Sequence, residues 1–343
     1  TTTSPDPKGC RLFAVDTVQG EVDWCQTFDP SINLGAVEVD STGDLYFTAA
    51  DELVSLSADG EERWRLQFAD SEGVDDAPWG LHFTPDGHIA TVTSSGWVYL
   101  VGREDGRVLD SLSIADTWGF VAPATMDLEV DITPLLPVEV VEDIESVWGE
   151  TDSEEKNGGF GGLLGAGAFC DNTVGIDSQG RIYVIGGGTD EDTGALVQIS
   201  VEGGVESPRL VKGWYAPTHA GSATTPSISR GDRYVVIGDG SSSDTLLNPE
   251  RVDARIKVMD IVACDANTDQ NPDPAVCAVS YQESLERSPT IGAPAILEDG
   301  TVIFWELGLD FSAEEGDRDV VAFGPDGVVW DAALPDAMDW VGV

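Results

Sequence analysis

The sequence predicts an all-β fold of repeated four-stranded antiparallel units, and three observations lead there. One hairpin recurs along the chain: Asp16 to Trp24 around Gly20, Asp59-Gly60 followed by Trp64, and Asp326-Gly327 followed by Trp330, with a weaker copy in which Leu109 follows Asp105-Gly106. A second hairpin accompanies it at a steady offset, in Asp40–Tyr46, Asp86-Gly87, Asp177–Tyr183 and Asp299-Gly300. Asp tolerates turn positions and Gly supplies a positive φ, so each pair between β-rich runs marks a tight reversal. The third observation is spacing: Gly43 to Gly87 is 44 residues and Gly60 to Gly106 is 46. Two hairpins in series at that period make one blade of a β-propeller.

The clearest unit runs through strands at 35–39, 44–48, 52–56 and 62–68. The same reading gives further blades over about 78–113, 173–213, 224–285 and 292–335. Residues 10–28 supply only two strands, and Ala337–Val343 reads as an inner strand that joins them in a composite blade and closes the ring. Six blades is the favoured count, with seven or eight open. Residues 1–9 form a flexible lead-in, and 10–343 a single domain interrupted by an insertion at about 114–168. That insertion holds Pro134 and Pro137, an acidic run from Glu142 to Glu155 and a Gly-rich run from Gly158 to Cys170. It lacks the paired Asp-Gly turns and reads as a lid, binding loop or plug, since long loops in compact domains are commonly functional. The most helix-like stretch, Val138–Val147, lies inside it.

Composition agrees: hydrophobic residues make up 41%, with 10 Trp, 11 Phe and 39 Gly, which suits short strands and many turns. Charge narrows the partners. Asp and Glu number 63 against 17 Lys and Arg, a formal net charge of −46. So negative a surface repels nucleic acid and anionic membrane. It reads as a highly solvated surface or, more sharply, as a platform for cations or a basic partner. No run reaches transmembrane length.

Cys10 and Cys25 flank the first hairpin and should face each other across an antiparallel pair, within reach of a disulfide. Cys264 and Cys277 bracket a Pro- and Asp-rich loop, a second natural staple, and Cys170 is left over. Two staples point to an oxidising compartment, periplasmic, extracellular or cell-surface. Thr1–Lys8 is expected to be a linker that could lead from an anchor.

The pattern Ala14-x-Asp16-x-x-x-Gly20-x-x-x-Trp24 resembles the Trp-docking repeat of pyrroloquinoline-quinone-type β-propellers, with Gln19 where that family prefers Thr. The resemblance implies a propeller in which the Trp packs between neighbouring blades. It says little of function, because that fold serves dehydrogenases and assembly scaffolds alike. The quinone enzymes of the family are longer and carry an adjacent Cys-Cys pair; the five cysteines here include no adjacent pair, which argues against the quinone as cofactor.

Candidate sites lie where the repeat is interrupted. Asp265, Asn267, Asp269 and Asp273 place oxygen ligands at alternating positions, the pattern that converges on Ca²⁺ in a loop. Gln270 replaces the turn glycine of such loops and Val276 stands where a bidentate Glu would be. The plainer reading is an Asx-turn loop held by its disulfide. Of three histidines, His82 falls on an inner strand and could face the central channel, and His88 follows an exposed turn. His219 sits in the segment 213–222, read as a loop between blades, where Trp214 and Tyr215 could wall an apolar pocket. No Gly-x-Ser-x-Gly elbow and no His-Glu-x-x-His motif occurs. These readings favour a non-catalytic binding or scaffold module, with calcium as the candidate ion. A calcium-dependent propeller hydrolase or lactonase is the alternative, and a quinone-dependent dehydrogenase the third class.

Overall fold

The computed structural model describes residues 12–27, 37–69, 76–122, 169–170, 172–219, 224–239, 255–270, 276–284, 293–305 and 319–333. Among them the chain forms six antiparallel sheets, the six blades of a β-propeller. The first is the hairpin β1 (Leu12–Asp16) and β2 (Glu21–Gln26). The second holds β3 (Glu38–Val39), β4 (Leu45–Ala49), β5 (Glu52–Leu56) and β6 (Glu62–Gln67). The third holds β7 (Pro78–Phe83), β8 (Ile89–Thr93), β9 (Trp97–Val101) and β10 (Val108–Ser113). In the fourth, β11 (Gly175–Ile176) and β12 (Ile182–Gly187) precede two long strands, β13 (Thr193–Gly204) and β14 (Ser207–His219). The fifth comprises β15 (Ser227–Ile228), β16 (Tyr234–Asp239), β17 (Arg255–Asp260) and β18 (Tyr281–Ser284). The sixth comprises β19 (Ala295–Ile296), β20 (Val302–Trp305), β21 (Asp319–Gly324) and β22 (Gly327–Ala333). The C-terminal segment expected to complete the first blade lies outside the described residues, as does most of the insertion.

The core sits between blades. Five apolar clusters each join one neighbouring pair: Leu12 and Trp24 with Phe47 and Val54, Tyr46 and Leu53 with Leu81 and Ile89, Val98 and Leu100 with Val184 and Val197, Trp214 and Leu196 with Val235 and Met259, and Val236 and Val258 with Phe304 and Phe323. With the strands of each four-stranded blade lettered a to d in chain order, the b strands β8, β12 and β16 are buried at every position, so stretches such as Val235-Val236-Ile237 run apolar without alternation.

Tryptophans key these interfaces, and glycine makes the keyhole. The Trp24 Nε1–H donates to the Ala58 carbonyl (2.9 Å) and its ring lies over Gly60, whose φ is +80°. Trp64 repeats the contact on the next blade, donating to the Arg103 carbonyl (2.9 Å) with its ring over Gly106. A Cβ at Gly60 or Gly106 would stand 2.7 or 2.6 Å from the ring, so each turn needs glycine for both its φ and its bare face.

An antiparallel meander puts alternate connections at opposite ends. On one face lie the a–b and c–d reversals, the tight Asp-Gly turns such as 40–44 and 102–107. The strand ends of the b–c and d–a connections lie on the other face, among them the described residues on either side of 123–168, 240–254 and 306–318. Two exceptions elaborate the turn face. The β13–β14 hairpin overshoots its blade, and the Val205 carbonyl at its tip meets His88 Nε2 at 2.9 Å on the third blade. Between β17 and β18 the chain forms a helix, Ile261–Gln270, rather than a turn.

Candidate functional site

The open face carries its polar side chains at strand ends. At its opening the insertion begins with a helix, Ile114–Trp118 (α1), capped by the Ser113 hydroxyl, which accepts from the Asp116 amide. Val121 N–H then donates to the Gly188 carbonyl (2.9 Å), tying this stem to the b–c connection of the fourth blade. On the return, Phe169 N–H bonds the Ser94 carbonyl (2.8 Å) and its own carbonyl accepts from Gly187 (2.9 Å). Both roots of the insertion are therefore fixed to the rims of the third and fourth blades. Cys170 is buried beside them, against Gly186.

One rim position gathers charge. Asp239, the last residue of β16, is fully buried and accepts three hydrogen bonds: from the His219 amide (2.6 Å), from His219 Nδ1 (2.8 Å) and from the Lys257 ammonium (2.6 Å). Burial raises its pKa, but the His219 hydrogen bond and the Lys257 charge outweigh it, so the carboxyl is held below its ordinary value. An ionised carboxylate only accepts, so His219 Nδ1 donates to it, on a ring that stays half exposed. Thr224 locks the neighbouring backbone by accepting from Gly238 N–H (2.9 Å). The result is a rigid rim: a buried carboxylate joins the ends of β14 and β16, and one imidazole edge points outward.

A second pair lies on the inner strands. His82 Nδ1 meets Glu38 Oε1 at 2.9 Å, linking β7 to β3, with both side chains about a third exposed. His82 sits on an innermost strand, and Glu38, its partner from the neighbouring blade, is a residue sequence reasoning missed.

The remaining expected site residues fall elsewhere. The segment from 213 is not a loop: β14 continues through His219. Its extended backbone separates Trp214 from His219 by about 16 Å, so the two do not share a pocket. Trp214 is buried (1% exposed), stacks at a tilt on Tyr183 with centroids 5.9 Å apart, and donates through Nε1 to Asp265 (3.0 Å). It is the docking tryptophan of the fourth blade. Tyr215 meets Phe120 edge-on at 5.2 Å.

The Cys264–Cys277 segment is likewise helical where an open loop was expected. Its helix (α2, Ile261–Gln270) starts at Asp260, whose carboxylate accepts from the Ala263 amide (3.2 Å). Asp265 is engaged by Trp214 on one oxygen and by Arg181 on the other (2.5 Å), and Asn267 Nδ2 donates to the Val276 carbonyl (2.7 Å). Asp269 belongs to the same helix, and Asp273 lies outside the described residues. Among the described residues, no group of three or more His, Cys, Asp or Glu is placed to hold a metal ion. The Cys264–Cys277 disulfide is formed, with Cα atoms 4.9 Å apart. Cys25 is also disulfide-bonded, while its expected partner Cys10 lies outside the described residues.

Two residues at this staple escaped the sequence reading. Asp177 is completely buried in its turn, where it accepts from Arg181 Nε and from the Tyr183 hydroxyl (3.0 Å). Burial and the Asp177 carboxylate push the Tyr183 phenol far up, out of reach of ordinary titration. The signal was present: Asp40 and Tyr46 hold the same relative positions and make the same bond (3.2 Å).

The comparisons with known proteins bear on the fold. No protein family model matches the chain, and no curated protein sequence matches it. Among solved structures it is similar to BamB from Moraxella catarrhalis, at 13% identity and a TM-score of 0.50, over 91% of this chain and 68% of that one. A protein of unknown function from Bacteroides caccae aligns at 11% identity and a TM-score of 0.44, over 93% of this chain and 88% of the other. The Dos1 propeller aligns at 8% identity and 0.47, over 90% of this chain and 62% of that chain. The class of protein is thus a β-propeller. Among the described residues no helix is long and apolar enough to cross a membrane.

Proposed function

We propose that this propeller is a non-catalytic binding or scaffold module of an oxidising compartment, periplasmic, extracellular or at a cell surface, and that it takes a basic partner on its open face. The observation that carries the reading is the construction of that face. Its strand ends are pinned by buried hydrogen bonds, Asp239 to His219 and Lys257 foremost, and the long connections leave from these pinned ends. A rigid scaffold that presents long connections on one side is how loops are positioned for recognition. The charge of −46 favours a cationic partner and fast, salt-sensitive association. The disulfide at Cys264 and Cys277 supports the compartment. On this reading the Trp-docking repeat is of the quinone-protein type but is used for packing alone.

Site-specific photo-crosslinking in the native cell tests it. A crosslinker at His219 should yield partner adducts that weaken at high salt, and one at Val262 on the turn face should not. Adducts from Val262 alone, or substrate turnover by purified protein that His219→Gln abolishes without unfolding, would overturn the proposal. Thiol trapping at lysis should find Cys264 and Cys277 oxidised, and labelled thiols there would remove the compartment assignment.

A further inference from the structure

Aspartate precedes glycine at five places within the described residues: Asp59-Gly60, Asp86-Gly87, Asp105-Gly106, Asp299-Gly300 and Asp326-Gly327. All five aspartates are exposed, and all five glycines take a left-handed φ, between +68° and +105°. What differs is the cover over the glycine. Gly60 and Gly106 are buried under the Trp24 and Trp64 rings. Gly300 is buried against Tyr234 and Tyr281, and its carbonyl accepts from the Tyr281 hydroxyl. Gly87 and Gly327 are only partly buried, and among the described residues nothing lies within 4 Å of where a Cβ would stand at either.

The bare turn at Gly327 has a cause in the way the blades are keyed. Trp24 and Trp64 each cover the c–d turn of the following blade. Asp326-Gly327 is the c–d turn of the sixth blade, but Tyr281 of the fifth blade reaches the a–b turn at Gly300 instead. The turn at Gly87 is also uncovered, yet it is tied from within: Thr84 N–H donates to the His88 carbonyl (2.8 Å) and His88 N–H to the Thr84 hydroxyl (3.1 Å).

We propose that Asp326 is a site of spontaneous isoaspartate formation, with Asp86 second, and that the keying side chains protect Asp59, Asp105 and Asp299. In the reaction the Gly327 nitrogen attacks Asp326 Cγ; a C–N bond forms, and the carboxyl hydroxyl leaves as water with the amide proton. Water then opens the five-membered succinimide. Cleavage of the new bond restores aspartate, whereas cleavage of the original peptide bond leaves the chain running through Cγ, at unchanged mass and with no other reactant. Glycine permits this because it carries no side chain to hinder the attack. The turn must open first, since its glycine N–H is tied back to a carbonyl, as Gly60 is to Ser57 and Gly87 to Thr84 (both 2.8 Å). Opening a keyed turn also strips an aromatic side chain from its receptor, so the open state there is rarer. The product carries one extra backbone carbon in the loop that sets the pairing of Phe323 with Val328 and Ala322 with Trp330. It also presents a free α-carboxylate, the group that isoaspartyl carboxyl methyltransferases take as substrate. The inference does not rest on the binding reading above.

Incubating the folded full chain in water enriched in heavy oxygen tests this, because each passage through the succinimide takes up one labelled atom. Peptide mapping should find label and isoaspartate at Asp326 at least about ten-fold faster than at Asp59, Asp105 or Asp299, with Asp86 between. In denaturant the five sites should react at similar rates, since each is the same Asp-Gly pair. Trp24→Ala should raise the rate at Asp59 towards that at Asp326 and leave Asp326 unchanged. Uniform labelling of the folded chain, a preference for Asp326 that persists in denaturant, or an Asp59 rate unmoved by Trp24→Ala would each overturn the proposal. If Trp24→Ala does not fold, the comparison of folded with denatured parent chain decides it alone.

Discussion

Trp64 packs on a turn that Gly106 keeps open, whereas Trp214 packs on a helix held down by a disulfide and an arginine. The two tryptophans do one task against receptors of opposite construction. At Trp64 the receptor is backbone: a carbonyl at 2.9 Å, a bare glycine face, and one Arg63–Glu104 ion pair (3.1 Å) at the solvent edge. At Trp214 the receptor is a side chain, Asp265, which Arg181 steadies from the neighbouring blade and the Cys264–Cys277 bond ties to the strand that follows. A tight turn fixes its own carbonyls, because few dihedrals are free. An insertion of some twenty residues does not, and each of its extra contacts offsets the entropy of ordering it.

The difference can be broken first at the glycine. Gly106→Val sets a β-branched residue at φ +68° with its Cβ 2.6 Å from the Trp64 ring, so backbone strain and overpacking add. The expected loss is about 4 kcal/mol in denaturant unfolding, and a loss below about 1 kcal/mol would show that the ring is not seated on the turn. The equivalent blow to the other receptor is covalent. Cys264→Ser with Cys277→Ser opens a crosslink of sequence separation 13 and should cost about 3 kcal/mol, with faster proteolysis between the two positions. Reduction should have no counterpart at the Trp64 interface.

Truncating the keys themselves should come next. Trp214→Phe leaves a cavity in a fully buried cluster and one Asp265 oxygen without its donor, for a loss of about 2–3 kcal/mol. Trp64→Phe, at a half-buried ring, should cost about 1 kcal/mol. Equal losses would mean that the two receptors are energetically alike despite their chemistry. Asp265→Asn keeps an acceptor for Trp214 but removes the charge facing Arg181. Because Asp265 is partly exposed, the expected effect is at most about 1 kcal/mol and should shrink in high salt.

What was legible in the chain divides along the same line. The Asp-Gly turns announced both their position and their backbone, since few residues besides glycine settle at a φ of +80° or +68°. The blades built on them fall where the spacing placed them: the third was expected at 78–113 and runs from Pro78 to Ser113. Trp214 was missed as a docking residue because the β13–β14 hairpin overshoots its blade, which pushes the tryptophan far beyond the offset that ties Trp64 to Gly60. Helix α2 was missed for a related reason. Alternating Asp and Asn between two cysteines spell a ligand loop when read as extended chain, and only the Asp260 cap and the packing of Ile261 and Cys264 turn that segment helical. The rim site was nearly silent: His219 could be singled out as a rare residue, but Asp239 and Lys257, on paired strands of the next blade, reach it only where two separate sheets pack together.

The smallest expected effect bears on calcium. Residues two apart on an α-helix project about 200° apart, whereas in a loop they can turn to one ion. The structure bears this out for Asp265, bound to Trp214 and Arg181, and for Asn267, which faces the Val276 carbonyl at 2.7 Å. Drawing Asp265 onto an ion would strip Trp214 of its acceptor and break the bridge to Arg181, so the helix and the ligand loop are competing uses of one segment. Adding millimolar calcium, or removing it with a chelator, should therefore move the melting temperature by less than about 1 °C, and Asp265→Asn should behave identically in both buffers. A rise of several degrees with calcium, lost in Asp265→Asn, would mean that the ion wins that competition and that Trp214 docks on a calcium loop rather than on a helix.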